Sequence, residues 1–152
     1  MRKFLLLLCS LFILSCSNEP PTIHDSQGRV ITADKLKNKW VIVNYWATWC
    51  HHCIREIPEL NRFYQENKDK NVLLFGVNYD GLSAKELFIF MQDHPIVYPL
   101  LQEDPGKTWH LSDVNGVPTT FILDPTGKMV KEILGPVSQA SLTKQLNKLK
   151  EK

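Results

Sequence analysis

The sequence predicts an α/β domain: a central mixed β-sheet flanked by helices, with an N-terminal β-hairpin and an extra helix between the central strands. Three observations predict it. Trp40 to Trp46 (WVIVNYW) and Asn71 to Asn78 (NVLLFGVN) are continuous apolar runs rich in β-branched residues, as in strands buried on both faces. Each is followed by a segment whose apolar residues recur at spacings of three and four, the period of a helix packed by one face. The chain then gives two strands joined by a turn and a terminal helix, so strand and helix alternate before the sheet closes with a hairpin. With 152 residues, 43% hydrophobic and 22% charged, it builds one core and has no room for a second of ordinary size.

Ile23 to Thr32 reads as a hairpin turned by Asp25-Ser26-Gln27-Gly28. After the first buried strand, Cys50 opens a helix that runs to about Asn67 with Ile54, Ile57, Leu60, Phe63 and Tyr64 on its apolar side. Pro58 lies inside this helix, where a missing backbone donor should kink the axis. Ser83 caps the next helix, to about Asp93, with Leu87, Phe90 and Met91 on one face. A short strand near Val97 to Leu101 and a helical turn from Pro105 to Leu111 follow. Strands at Thr119 to Leu123 and Lys128 to Leu134 flank Asp124-Pro125-Thr126-Gly127, whose Pro and Gly suit a type I turn. Ser138 caps the last helix, on which Leu142, Leu146 and Leu149 form a stripe.

The first 16 residues are an export address. Met1-Arg2-Lys3 is basic, and Phe4 to Leu14 is an apolar run of 11 residues, short of the ~20 that span a bilayer but right for a signal-peptide core. Ile13-Leu14-Ser15-Cys16 resembles a bacterial lipoprotein signal, which implies acylation of Cys16 and a membrane anchor. The alternative is cleavage around Ser15-Cys16-Ser17 that releases a soluble periplasmic protein. Residues 17–22 are then a polar tether and residues 23–152 the domain. Of 18 Lys and Arg, Arg2 and Lys3 fall in the leader, so the remainder balances 16 Asp and Glu. A chain without net charge has no field to gather nucleic acid, which is excluded as a partner.

Once the leader is set aside with Cys9 and Cys16, only Cys50 and Cys53 remain. The loop between them is too short to staple a domain, so the pair serves chemistry or metal. Trp49-Cys50-His51-His52-Cys53 stands where a buried strand meets a helix. A sulfur there feels the positive helix end and free N–H groups, which lower a Cys pKa from ~8.5 towards ~3.5 to 7.5. Cys50 is therefore the expected nucleophile. Cys53, one turn on and deeper, closes the Cys50–Cys53 disulfide and resolves the mixed disulfide. Four consecutive residues at a helix start cannot converge on one tetrahedral metal, and His24, His94 and His110 stand alone. Neither metal nor bound cofactor is expected. Trp49 is a candidate for the substrate-facing surface, and Trp46 for that surface or the core.

These residues resemble the thioredoxin-like superfamily and, within it, exported TlpA/ResA-type thiol-disulfide oxidoreductases. The resemblance rests on Asn44-Tyr45-Trp46-Ala47-Thr48-Trp49-Cys50, Cys53-Ile54-Arg55-Glu56-Ile57-Pro58-Glu59-Leu60 and Gly116-Val117-Pro118-Thr119-Thr120, and covers roughly residues 22–150. It implies a thioredoxin-like fold and a cis Val117–Pro118 bond beside the cysteines, with the Val117 backbone offered to an extended substrate. It also implies that Glu56 handles the proton of Cys53, against the alternative of a solvated first-turn carboxylate. Ordinary thioredoxins keep an acid at the position of Asn44, which cannot take a proton. His51 and His52 depart from the Pro-containing pair common in TlpA/ResA proteins. A His before the second Cys is similar to disulfide-forming oxidases, where positive charge makes the disulfide more oxidising. The expected activity is reduction of disulfides in envelope proteins, as in cytochrome c maturation, served by a membrane electron donor or acceptor. Disulfide formation or isomerisation is the alternative, and a copper- or zinc-binding thioredoxin-fold protein the one from another class. With no dimerisation segment, a monomer is expected.

Overall fold

The computed structural model describes residues 22–151. The leader at residues 1–16, Cys16 and the tether up to residue 21 lie outside the described residues.

A two-stranded antiparallel hairpin, β1 (Ile23–His24) and β2 (Val30–Ile31), comes first. Asp25 is buried at its turn, where one carboxylate oxygen accepts the backbone N–H groups of Gln27 and Arg29, each at 2.9 Å. A short helix, α1 (Ala33–Leu36), leads into β3 (Trp40–Trp46). Then come α2 (His51–Asn67), β4 (Val72–Asn78), α3 (Ala84–Asp93), β5 (Leu100–Leu101), β6 (Thr119–Leu123), β7 (Met129–Leu134) and α4 (Gln139–Lys150). The main sheet runs β5-β4-β3-β6-β7, parallel across β5, β4 and β3 and antiparallel from β3 to β6 to β7. The mixed α/β architecture is thus the thioredoxin-like one.

β3 is the middle strand, so both its faces are covered, and the period-2 alternation of its side chains divides the core into two layers, one on each face of the sheet. Val41, Val43 and Tyr45 join Phe75, Val77, Phe121, Leu123 and Trp109 under the hairpin. Ile42 and Trp46 join Ile57, Leu60 and Phe63 of α2 and Leu142 and Leu146 of α4 on the other face. Asn44, between Ile42 and Trp46, therefore faces α2. α3 closes the same layer through Leu87, Phe90 and Met91, and the Phe90 ring stacks on Trp46 with centroids 5.3 Å apart. Trp46 belongs to the core.

Two elements differ from their sequence expectation. The strand near Val97 to Leu101 shrinks to Leu100–Leu101. Asn61 of α2 holds the preceding segment away from the sheet, accepting the Val97 N–H at 3.0 Å and donating to the Pro95 carbonyl at 2.7 Å. Pro99 has no N–H to offer a ladder. The four-residue α1 has no counterpart in the sequence reading, because one turn is too short to display a period, and its N-cap, Thr32, makes no side-chain cap bond.

Candidate active site

β3 ends at Trp46, and three residues carry the chain to Cys50, just before α2. Cys50 is the N-cap of that helix, with extended backbone (φ −89°, ψ 98°), and its Sγ accepts the Cys53 N–H at 3.1 Å. That bond satisfies one of the free donors every helix start presents. The loop before it is pinned. Asp80, just beyond β4, accepts the Thr48 N–H at 2.8 Å and the Thr48 hydroxyl at 2.7 Å.

Cys50 and Cys53 form a disulfide with Cα atoms 5.2 Å apart. Both are buried, but not equally: Cys50 keeps 7% of its surface open and Cys53 none. Across from them the Val117–Pro118 peptide is cis. The Val117 carbonyl oxygen lies 3.6 Å from Cys50 Sγ. In the disulfide this is a contact only, because the sulfur carries no hydrogen; the thiol of the reduced protein can donate there. Thr119 Oγ1, donating to the Gly116 carbonyl at 2.7 Å, and Gly135 N–H, donating to the Pro118 carbonyl at 2.9 Å, hold this segment in place.

Glu56 is buried, with 2% exposure, one turn beyond Cys53, so the solvated alternative does not hold. The turn that carries it faces the sheet, and its carboxylate meets two donors. Asn44 Nδ2 donates to Oε1 at 2.8 Å and the Val137 N–H to Oε2 at 2.9 Å. Burial pushes its pKa up to about 7, against the lowering by Val137 and Asn44. The same Asn44 amide reaches Thr120 Oγ1 at 3.1 Å, so a polar thread runs from helix to sheet behind the cysteines. The sequence presents Asn44 only as a missing acid. Its hydrogen bond to Glu56 follows from strand alternation, whereas the Val137 N–H leaves no trace in the sequence.

His51 and His52 are exposed on the first turn of α2, which holds no acidic residue; His52 Nδ1 lies 3.0 Å from an Arg55 guanidinium nitrogen. Trp49 is 65% exposed beside Cys50. Among the described residues, no three His, Cys, Asp or Glu side chains gather as metal ligands, and no helix is long and apolar enough to cross a membrane. Chemically, the site pairs one reachable sulfur with one enclosed sulfur, next to a carboxyl group poised near neutrality.

Comparison with known proteins agrees with this chemistry. The AhpC/TSA family model matches residues 17–132. The chain is 30% identical over 128 residues to the thiol-disulfide oxidoreductase ResA of Bacillus subtilis, covering 84% of this chain and 71% of that one. A thiol:disulfide interchange protein of the thioredoxin family from Chlorobium tepidum superposes with a TM-score of 0.71 at 24% identity, over 83% of this chain and 90% of that one. StoA from Bacillus subtilis gives 0.66 at 23%, over 83% and 96%. The last two speak for the fold, and the first for the activity. The chain belongs to the AhpC/TSA family and is a thiol-disulfide oxidoreductase of the thioredoxin-like kind.

Proposed function

We propose that the protein is exported and reduces disulfides in proteins of the cell envelope, with Cys50 as nucleophile, Cys53 as resolving thiol and Glu56 as the group that takes the Cys53 proton. The supporting observation is the unequal burial of two joined sulfurs at a helix N-terminus. In the reduced protein the Cys50 thiolate attacks a substrate disulfide, forming a mixed disulfide and expelling one substrate sulfur as thiolate. Cys53 passes its proton to Glu56 and attacks Cys50 Sγ, which releases the second substrate thiolate. The substrate gains two electrons, and the protein is left as the Cys50–Cys53 disulfide. The cycle restarts when an external dithiol donor, served through the membrane, reduces that disulfide. Val117 and Trp49 take the role of substrate contacts beside Pro118.

Export rests on the leader at residues 1–16, and anchoring on acylation of Cys16. Labelling with a radioactive fatty acid is expected to mark the wild type and to miss a Cys16→Ala variant. A role in cytochrome c maturation is the specific case of the same reduction. The competing direction has an observation of its own: two exposed histidines and no acid on the first turn of α2 favour a stabilised thiolate and a more oxidising disulfide. The equilibrium potential against glutathione decides. A value near the thioredoxin end, about −270 mV, supports reduction, and one near −120 mV overturns it. Cys50→Ser is expected to abolish exchange and Cys53→Ser to accumulate mixed disulfides with envelope proteins. Full turnover by Cys53→Ser removes the resolving role. Stoichiometric copper or zinc on the reduced protein, with no insulin reduction, would replace the whole reading.

A further inference from the structure

Tyr79 follows the last residue of β4 and has no part in the exchange chemistry described above. Its backbone is fixed at both sides. The Tyr79 N–H donates to the Trp46 carbonyl at 2.8 Å, and the next residue, Asp80, clamps Thr48, two positions before Cys50. The residue is nevertheless 50% exposed. The phenol oxygen lies 3.4 Å from the carbonyl oxygen of Val114, longer than the ~2.7 to 2.8 Å usual for such a bond. Val114 belongs to the segment that continues to Val117, whose carbonyl stands over Cys50 Sγ. Tyr79 thus stands between the two strips of chain that lead to Cys50: its N–H is bonded to Trp46, where the loop to Cys50 begins, and its hydroxyl lies against Val114, in the segment that leads to Val117.

We propose that Tyr79 determines substrate specificity: with Trp49 it forms an aromatic rim beside Cys50 that selects protein segments carrying a bulky apolar residue next to the reacting cysteine. The inference rests on the exchange function of Cys50 and names the class of substrate it takes. An aromatic ring on an immobilised backbone gives a large apolar contact at little conformational cost, which is the economy of rigid aromatic anchors at other recognition surfaces. Asp80 adds no repulsion to an apolar side chain here, because its carboxylate is turned inward to Thr48 and Asn78.

The test uses two short peptide disulfides, identical except for Leu or Ser beside the reacting Cys, and reads the ratio of their kcat/KM values. The wild type is expected to favour the Leu peptide about tenfold, the effect of a single good aromatic contact. In Tyr79→Ala and Tyr79→Ser the ratio should fall towards one, and in Tyr79→Phe it should return. A general loss of structure lowers both rates and leaves their ratio alone. A wild-type ratio near one, or an unchanged ratio in both truncated variants, overturns the inference while the exchange function stands. If the wild type reduces neither peptide and no other disulfide, both fail together.

Discussion

At the scale of single residues, the proposed proton handling behind the cysteines rests on Glu56 and Asn44. Glu56 titrates near 7 when folded, against an ordinary value of 4.5, so the folded protein holds this proton more tightly than the unfolded chain. Its contribution to stability is therefore complete below pH 4.5 and is lost as pH rises through 7, a change of up to about 3 kcal/mol. Glu56→Gln is neutral at every pH and should lose less stability than wild type between pH 5 and 8. Urea unfolding at those two pH values checks it, and parallel losses would refute it. The same variant should shift the pH profile of thiol alkylation in the reduced protein. Asn44→Asp would set a second buried carboxylate against the first, pushing the Glu56 pKa further up; carboxyl-carbon NMR titration reads this directly. Under the proposed role of Glu56, an acid on the strand and an acid on the helix would be competing solutions to one proton-transfer problem. The sequence displays Glu56 by its spacing from Cys53, but burial and the Val137 N–H arise only when α4 docks.

At the scale of elements, β4 carries the tightest steric constraint near the site. A Cβ on Gly76 would stand 2.5 Å from Leu100 Cδ2, 2.9 Å from the Tyr98 ring and 3.4 Å from Trp46 Nε1. Gly76→Ala should therefore destabilise the protein by about 1 to 3 kcal/mol through overpacking, seen as a lower urea midpoint. A midpoint equal to wild type would mean that Leu100 and Tyr98 give way freely. The hairpin depends on Asp25. Burial raises its pKa, but the Arg29 and Gln27 donors outweigh burial and hold it below 3.8. That stability is present above pH 3.8 and is lost as pH falls through the depressed value. Long elements were legible because their periods repeat: β3, α2 and α4 follow from apolar spacing and caps alone. The extent of β5 and the presence of α1 were not: a partner sets the first, and a single turn shows no period. Asn61 withdraws the Val97 N–H from the sheet, and no pattern within residues 95–101 announces it.

At the scale of the whole molecule, the disulfide couples the potential of the cysteines to the stability of the fold. Whatever stabilises the dithiol form makes the disulfide a stronger oxidant, and the reverse holds for a reductant. If the protein is a reductase, its disulfide form should melt above its dithiol form in paired thermal scans. The opposite order would mark an oxidase and credit the exposed His51 and His52. The active end of the sheet was legible in the sequence because three separated motifs converge there. The aromatic rim was not, since Tyr79 belongs to no motif and gains its place only from the pairing of β3 with β4.

Cys53 has no surface of its own, and this leaves the pair a single door. A stray small thiol meets the outer sulfur alone and finds no path to the inner one. With Cys53 in the proposed resolving role, the attack that follows capture of a client comes from within the same molecule. Every electron that enters or leaves the pair must therefore pass through the outer sulfur.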